Sequence, residues 1–216
     1  MDEDFNYFLK TFGAAVQDPE QPQASDIEKY QGKLPARLLE YWKNYGWGGY
    51  KDGLFWIVNP AEFEPIVEEW LAGSGAEDRD SYHTVARTAF GELFLWGEKS
   101  GQTITVTPLD ATMYSYPDDK RLLTRPDSAI ASFFSDQDPE GLDFEDENEK
   151  PLFKKAVKKL GKLKADEMYG FEPALCIGGM PRLENLVKVK MHEHLLLLEQ
   201  LGEIEIIPID VGGQVS

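Results

Sequence analysis

The chain has 216 residues, with 22 lysine or arginine residues against 39 aspartate or glutamate residues, and a formal net charge of −17. This charge disfavours direct nucleic-acid binding, because neutralising phosphates requires a basic face. A basic protein partner would instead be attracted and steered towards the surface. High negative charge also serves simply to keep a cytosolic protein soluble, and composition alone leaves both interpretations open.

Cysteine usage and hydropathy predict a cytoplasmic protein. Cys176 is the single cysteine and lies in an apolar stretch, which is typical of a buried thiol in a reducing compartment. Three of the first four residues are acidic, and this segment lacks the basic-then-apolar order of a secretory signal. No apolar run approaches the ~20 residues that a membrane span requires, so we expect no membrane association.

Apolar residues at helical spacing predict helices in the first part of the chain. Their spacing in 5–12 predicts an amphipathic helix that a glycine ends. A stronger helix is expected to begin with Pro35 at its first helical position and to end at Gly46. A further helix over 66–71 is expected to begin at Pro65.

Strand patterns follow these helices. Residues 54–58 form a continuous apolar run that predicts a buried strand. Residues 82–88, 92–96 and 102–107 predict an antiparallel β-meander with glycine-containing turns. In the last of these, isoleucine and valine alternate with threonine, which predicts one solvent-exposed face. Helices followed by strands favour an α+β fold over a parallel α/β sheet.

Prolines between 108 and 126 indicate a domain boundary. The sequence therefore predicts a first domain over 1–107, with N-terminal helices and the meander. A smaller, helix-rich domain over 108–216 is expected to pack against it. Within the second domain, a long helix over 183–201 and a last strand over 203–209 are predicted.

An acidic run over 136–149 carries eight carboxylates in fourteen residues. An apolar stripe over 152–160 follows at once, surrounded by lysines, and predicts a short amphipathic helix. The simplest interpretation of the two neighbouring segments is local charge pairing.

The motifs of catalysis and metal binding are missing from the sequence. His192 and His194 are two positions apart, and on a helix such residues point about 200° away from each other, whereas zinc pairs need a spacing of four. Ser74 lacks the G-x-S-x-G context of a nucleophile, and the glycines of 46–49 lack the G-K-[ST] of a phosphate loop. We therefore predict a protein without catalytic residues, metal or cofactor.

The aromatic residues of one glycine-rich loop have two possible roles. Trp47 and Tyr50 lie within 46–53, and aromatic residues in loops are typical anchors of binding surfaces. They could equally close the end of the hydrophobic core. The sequence leaves both roles open.

Long segments of the chain resemble a known family. Residues 33–42 (KLPARLLEYW), 46–56 and 90–98 (FGELFLWGE) resemble bacterial GAD-like (GAD-related) domains. Residues 166–175 and 183–190 resemble the C-terminal domain that accompanies them. This pair of domains is similar to the immunity proteins that protect bacteria from type VI secretion DNase effectors. The resemblance covers roughly residues 5 to 207 and brings no catalytic residues with it.

The resemblance implies a cytoplasmic immunity protein that binds and neutralises a cognate DNase toxin. A DNase presents a basic groove to its substrate, and an acidic partner is complementary to that groove. The candidate partner-binding residues are Trp47, Tyr50, Asp52, Glu68, Glu69, Glu77, Asp78 and Asp80. The second-choice surface is the acidic run at Asp143, Glu145, Asp146 and Glu147.

Two alternatives remain at this stage. One is a non-catalytic adaptor or regulatory module with a non-toxin protein partner. The other is a small-molecule enzyme that uses a cleft between the two domains. The sequence leaves the oligomeric state open.

Overall fold

The computed structural model describes residues 2–117 and 124–209. Residues 118–123 of the predicted boundary region lie outside the described residues. The described helices are α1 (Glu3–Phe12), α2 (Ala24–Tyr30), α3 (Ala36–Tyr45), α4 (Pro60–Leu71), α5 (Ala76–Arg79), α6 (Pro126–Ser135), α7 (Phe153–Leu160) and α8 (Met191–Leu201). The described strands are β1 (Gly48–Tyr50), β2 (Phe55–Ile57), β3 (Tyr82–Thr88), β4 (Leu93–Gly97), β5 (Gly101–Thr107), β6 (Thr112–Ser115), β7 (Glu167–Phe171), β8 (Leu186–Lys190) and β9 (Glu205–Pro208).

A seven-stranded mixed sheet organises the molecule, with the strand order β1-β2-β3-β4-β5-β6-β9. Neighbouring strands are antiparallel except β6 and β9, which run parallel. β7 and β8 form a separate antiparallel pair. The predicted α+β class is confirmed, and the predicted meander corresponds to β3, β4 and β5.

Helices α1 and α6 cover one face of the sheet through aromatic contacts. The carboxylate of Asp2 accepts a hydrogen bond from the amide of Asp4 at 3.1 Å and caps α1. Phe8 of α1 then packs on Phe55 of β2 and on Phe134 of α6, with ring centroids 5.5 Å apart in both pairs. The spacing of the phenylalanines in α1 thus determines which side of this helix faces the core.

Helices α4 and α8 lie on the opposite face. The indole N–H of Trp70 in α4 donates to the carbonyl of Leu195 in α8 at 3.1 Å, and both residues are fully buried. Burial on both faces explains why the prediction of a solvent-exposed face on β5 was wrong. Thr105 is buried beside its cross-strand neighbour Phe94, which contacts Phe133 of α6, a helix from a distant part of the chain.

Two helix starts differ from the predictions. α4 begins at Pro60, not at Pro65, because the side chain of Asn59 accepts a hydrogen bond from the amide of Ala61 and caps the helix there. Pro60 occupies the first turn, where a missing N–H costs nothing. Pro35 is the residue before α3, which begins at Ala36.

The predicted helix over 183–201 is only partly helical. Residues Leu183–Asn185 form a 3₁₀ turn, β8 follows, and only Met191–Leu201 is helical. In β8 the buried side chain of Leu186 is followed by alternately half-buried valines and exposed lysines, a period of two that suits a strand with one covered face. The hydrogen-bonded neighbour of β8 is β7, which the sequence did not predict.

The region 108–216 contributes to the same core as 1–107. Strands β6 and β9 extend the sheet that begins with β1, and α6 packs on α1 and α3. The buried apolar residues of both regions belong to one continuous cluster. The division at residue 107 stays a prediction, and β6 to β9 make the second region richer in strands than expected.

Candidate partner-binding site

The two loop aromatics of the predicted site are core residues in this structure. Trp47 is 6% exposed and packs edge-on against Trp42, with ring centroids 5.6 Å apart. Tyr50 is 1% exposed and packs on Phe8 at 5.1 Å, and its burial raises its pKa to about 12. Of the two roles that the sequence left open, the structure supports closure of the core, and a contact of these residues with a partner stays a prediction. The segment instead forms β1, whose side chains close the core.

Asp80 is also buried, at 7% exposure, and is occupied by internal hydrogen bonds. One carboxylate oxygen accepts from the amides of Lys99 and Ser100, each at 2.8 Å, and from the Ser100 hydroxyl at 2.7 Å. The other oxygen accepts from the amide of Ser81 at 2.8 Å. Asp80 thus holds the turn between β4 and β5, and its predicted role in steering a partner is not supported.

The other predicted carboxylates are exposed. Glu68 and Glu69 lie on the solvent side of α4, and Glu77 and Asp78 lie on the short helix α5 that follows it. Glu77 accepts hydrogen bonds from its own backbone and from the amide of Gly73, which lower the pKa of its carboxyl group and keep it charged. These four residues form the α4–α5 acidic surface.

Asp52 stands apart from the α4–α5 acidic surface. Its carboxylate pairs with the ammonium group of Lys162 at 2.7 Å, and both side chains are more than half exposed. An exposed ion pair of this kind contributes little to stability. It does place a positive charge beside Asp52 and weakens its attraction for a basic partner.

The second-choice surface is largely paired within the chain. Asp143 accepts hydrogen bonds from the amides of Leu152 and Phe153 at 3.1 and 2.7 Å, and so caps α7. Asp146 pairs with Lys155 of α7 at 3.0 Å, and Glu147 pairs with Arg182 at 2.7 Å. Glu145 remains exposed. The pairing of Asp146 with Lys155 is the local charge pairing that the sequence predicted.

A cleft beside Trp47 brings together residues that the sequence did not connect. It has a volume of about 210 Å³ and is referred to below as the Trp47 cleft. Main-chain hydrogen bonds of 2.8 Å join Glu20 and Trp47 in both directions and hold the segment 17–20 beside β1. The cleft is lined by Gln17, Asp18, Glu20, Trp47, Gly48, Gly49, Trp56, Ile57, Val58, Asn59, Glu62, Phe63 and Ala165.

Two carboxylates of the Trp47 cleft lack a counter-ion. Within residues 2–117 and 124–209, neither Glu20 nor Glu62 has a cationic side chain within ion-pair distance. Desolvation raises the pKa of Glu62, the neighbouring charge of Glu20 raises it further, and Arg87 lowers it. The net effect is a raised pKa, so desolvation and the charge of Glu20 together outweigh the positive charge of Arg87 at Glu62.

Arg87 lies behind the cleft and was not recognised from the sequence. Its guanidinium group is fully buried, 4.6 Å from the Trp56 ring centroid, and donates to the carbonyls of Thr88 and Ala165 at 3.1 and 2.8 Å. Burial lowers its pKa, and the charges of Asp166 and Glu62 oppose that effect. An arginine at the apolar core of a strand was the sequence signal that could have indicated this site.

Gly49 allows Trp56 to form the wall of the cleft. A Cβ atom at position 49 would lie 2.8 Å from the six-membered ring of Trp56. Glycine is therefore the residue that lets the indole lie against β1, where its N–H donates to the carbonyl of Gly53 at 2.7 Å. Gly53 also lies against this ring, whereas Gly46 and Gly48 lie against Pro19.

The histidines have structural surroundings. His192 packs edge-on against Phe63 at 5.2 Å, His194 is buried against Gly170, and burial lowers the pKa of both imidazoles. His83 hydrogen-bonds to Glu98 at 2.9 Å. Across the described residues, no cluster of three or more potential metal ligands occurs, and no helix is long and apolar enough to cross a membrane.

A second cleft, of about 170 Å³, lies between the sheet and the acidic run. Glu92, Asp110 and Asp143 line it, and burial raises the pKa of all three, that of Glu92 to about 7. Asp143 is already committed to capping α7. Among the lining residues, no serine, cysteine, lysine or histidine accompanies the carboxylates as a nucleophile or base.

Comparison with known proteins identifies the two regions. A family model described as "GAD-like domain" matches residues 3–110, half of the chain. The chain belongs to the GAD-like domain family. A second family model, described as "T6SS immunity protein Tdi1, C-terminal", matches residues 127–202. Both matches confirm the resemblance inferred from the sequence segments.

The fold of this GAD-like protein is shared with a solved structure. The protein described as Atu4351 from Agrobacterium tumefaciens superposes with a TM-score of 0.85 and 25% sequence identity. The alignment covers 100% of this chain and 96% of the other. No match was found among curated proteins.

The contrast between Asp80 and Asp78 gives a stability test. We expect Asp80→Ala to lower the free energy of unfolding by about 2–4 kcal/mol, because it leaves buried donors without an acceptor. Asp78→Ala removes the same charge from an exposed position and is expected to change stability by less than about 0.5 kcal/mol. Urea unfolding followed by tryptophan fluorescence measures both. Equal effects of the two substitutions would show that Asp80 has no structural role.

Proposed function

We propose that this chain is a cytoplasmic immunity protein that binds and neutralises a cognate DNase toxin of a type VI secretion system. The observation that carries this proposal is the match of residues 127–202 to the C-terminal family of the immunity protein Tdi1. The GAD-like region precedes it in the same chain, as the sequence resemblance implied. An immunity protein acts by binding, so the proposed role requires no catalysis.

The charge of the chain supports a nuclease as the partner. An enzyme that cleaves DNA has to present a basic face to the phosphates, and this protein carries a net charge of −17. The α4–α5 acidic surface offers four exposed carboxylates without an ion pair among the described residues. Complementary charge of this kind raises the association rate and disfavours wrong partners.

To neutralise a DNase, the immunity protein has to bind it before it reaches the chromosome. We therefore propose that the two proteins bind each other in the cytoplasm. The single thiol, Cys176, is half-buried, and desolvation raises its pKa, so it stays in the less reactive thiol form. This is compatible with a reducing compartment.

The direct test is inhibition of a purified nuclease. The tagged protein is used to capture its partner from the bacterium that encodes it, and the captured polypeptide is then separated and assayed on plasmid DNA. We expect DNA cleavage by that polypeptide, and its loss when one equivalent of this protein is added back. A captured partner without nuclease activity would contradict the proposal and favour an adaptor role.

The effect of the α4–α5 acidic surface on the association rate can be separated from the effect of the net charge of the protein. Replacing Glu68, Glu69, Glu77 and Asp78 by their amides is expected to lower the association rate with the nuclease by about tenfold at low salt and to flatten its salt dependence. Surface-plasmon kinetics at several salt concentrations measures both quantities.

The matched control removes an equal number of negative charges, four, from the acidic run over 136–149. The amide variant of Asp136, Glu140, Glu145 and Glu149 has an identical net charge, and these residues are exposed. We expect it to associate within about threefold of the wild-type rate, because distant charges are screened. If the control slows association more than the α4–α5 variant does, the acidic run is the steering surface instead.

A further inference from the structure

The Trp47 cleft is an open space lined by carboxylates that form no ion pair within the described residues. Its walls come from three separate stretches of the chain: the segment 17–20, the strands and helix start within 47–63, and Ala165. Its volume of about 210 Å³ is several times the ~30 Å³ that one water occupies in the liquid, so it is large enough for the end of one long side chain.

The polar groups of the cleft favour a cation. Asp18, Glu20 and Glu62 all line it, and within the described residues none of them has an ion-pair partner. Arg87 supplies the nearest buried positive charge, but it lies behind Trp56 and is shared with Asp166. A carboxylate that is partly desolvated and beside a second carboxylate gains most from a cation placed against both.

An unpaired donor in the cleft wall points independently to a ligand. Trp47 is 94% buried, and its indole N–H has no hydrogen-bond acceptor among the described residues. The N–H itself is shielded from solvent, so an incoming backbone carbonyl reaches it only after the indole shifts towards the cleft. That bond would then recover the free energy that a buried donor without an acceptor costs. A peptide segment that carries a basic side chain supplies both a cation and such a carbonyl.

We propose that the Trp47 cleft accepts an arginine side chain, with its backbone, from the cognate nuclease. The proposal rests on the function proposed above and specifies where the basic surface of the nuclease is held. The planar guanidinium group bonds two carboxylate oxygens at once and stacks on aromatic rings, which a lysine ammonium group does not do as well. The carboxylates of Glu20 and Glu62 pair with the guanidinium group. The aromatic rings of Trp47 and Phe63 exclude water around that group.

This arrangement gives Trp47 a role that is consistent with its burial. In the free chain the indole closes the core, and at the cleft the same side chain forms one wall. An anchor supplied by the partner, fitting into a preformed cleft, loses less conformational entropy than an exposed loop that orders on binding. The cleft would therefore slow dissociation, whereas the α4–α5 acidic surface would speed association.

The chemistry of the cleft is tested first without the nuclease. N-acetylarginine methylamide is titrated into the full, ¹⁵N-labelled chain, and the indole N–H signal of Trp47, assigned with Trp47→Phe, is followed by NMR. N-acetylcitrulline methylamide has nearly the same shape without the charge and serves as the matched ligand. We expect a saturable shift with the arginine compound at about millimolar concentration and none with the citrulline compound. The absence of a saturable shift, or equal shifts with both, would overturn the proposal.

Two protein variants test the same cleft in the complex. Glu62→Gln removes a charge from the cleft, and Glu68→Gln removes one from the exposed side of the same helix. With the captured nuclease we expect Glu62→Gln to raise Kd at least tenfold, mainly through faster dissociation, and Glu68→Gln to leave the dissociation rate within about twofold. Circular dichroism confirms that both variants are folded.

The outcomes distinguish the two proposals. If the captured partner is a nuclease that binds the wild type and Glu62→Gln equally well, the cleft proposal fails and the immunity function stands. If the arginine compound binds at the cleft but no nuclease is captured, the immunity function fails and the cleft remains a site for a basic segment.

Discussion

The buried guanidinium group of Arg87 links the two regions beside the Trp47 cleft, and the shape of the candidate site depends on its contacts. Within the described residues it has no carboxylate at ion-pair distance. It is stabilised by the Trp56 ring and by hydrogen bonds to the carbonyls of Thr88 and Ala165, while the charges of Asp166 and Glu62 act over a longer range. Because Ala165 belongs to the second region, the buried charge ties that region to β3.

The same contacts determine the shape of the candidate site. Trp56, Ala165 and Glu62 each interact with Arg87, and all three line the Trp47 cleft. A cation bound in the cleft would lie on the far side of Trp56 from a buried cation, so the carboxylates have to balance both charges. The charges of Asp166 and Glu62 offset the burial of Arg87, and a cation bound in the cleft would share Glu62 with it.

The acidic composition is not a map of the binding surface. Asp80 and Asp143 accept hydrogen bonds from backbone amides. Asp146 and Glu147 form ion pairs within the chain. Among the carboxylates that the sequence singled out, the α4–α5 acidic surface stays exposed and without an ion pair within the described residues, and the Trp47 cleft adds Glu20 and Glu62. The net charge predicts the sign of the partner's surface, whereas the location depends on which carboxylates the fold already uses.

The sequence predicted the helices and strands whose burial follows from the spacing of their own apolar residues. The spacing of phenylalanines gave the position of α1, and alternation gave β3, β4 and β5, because period and burial coincide there. The pattern of residues 183–201 predicts helix where the structure has β8, because the strand that β8 pairs with, β7, cannot be inferred from the residues of β8 itself. Two other environments also depend on distant residues. Phe133 of α6 packs over the Phe94 side chain next to Thr105, and the amide of Lys99 in the β4–β5 turn binds the carboxylate of Asp80.

The candidate site was predictable only in part. The sequence indicated Trp47 and acidic character, but it left open whether the loop aromatics are exposed or close the core. The carboxylates that accompany Trp47 are Glu20 and Glu62, which lie 27 positions before it and 15 after it, as the numbering shows. Their meeting depends on the pairing of Glu20 with Trp47 and on the cap that starts α4 at Asn59, and neither contact is visible as a motif.

Hydrogen exchange on the complex with the captured nuclease tests the central claim most directly. Amides in 17–20, 47–49 and 59–63 form the edges of the Trp47 cleft, and we expect them to exchange more slowly in the complex than in the free chain. Amides in the acidic run over 136–149 are expected to exchange at the same rate in both. Slowed exchange confined to the acidic run, with no change around the cleft, would contradict the account.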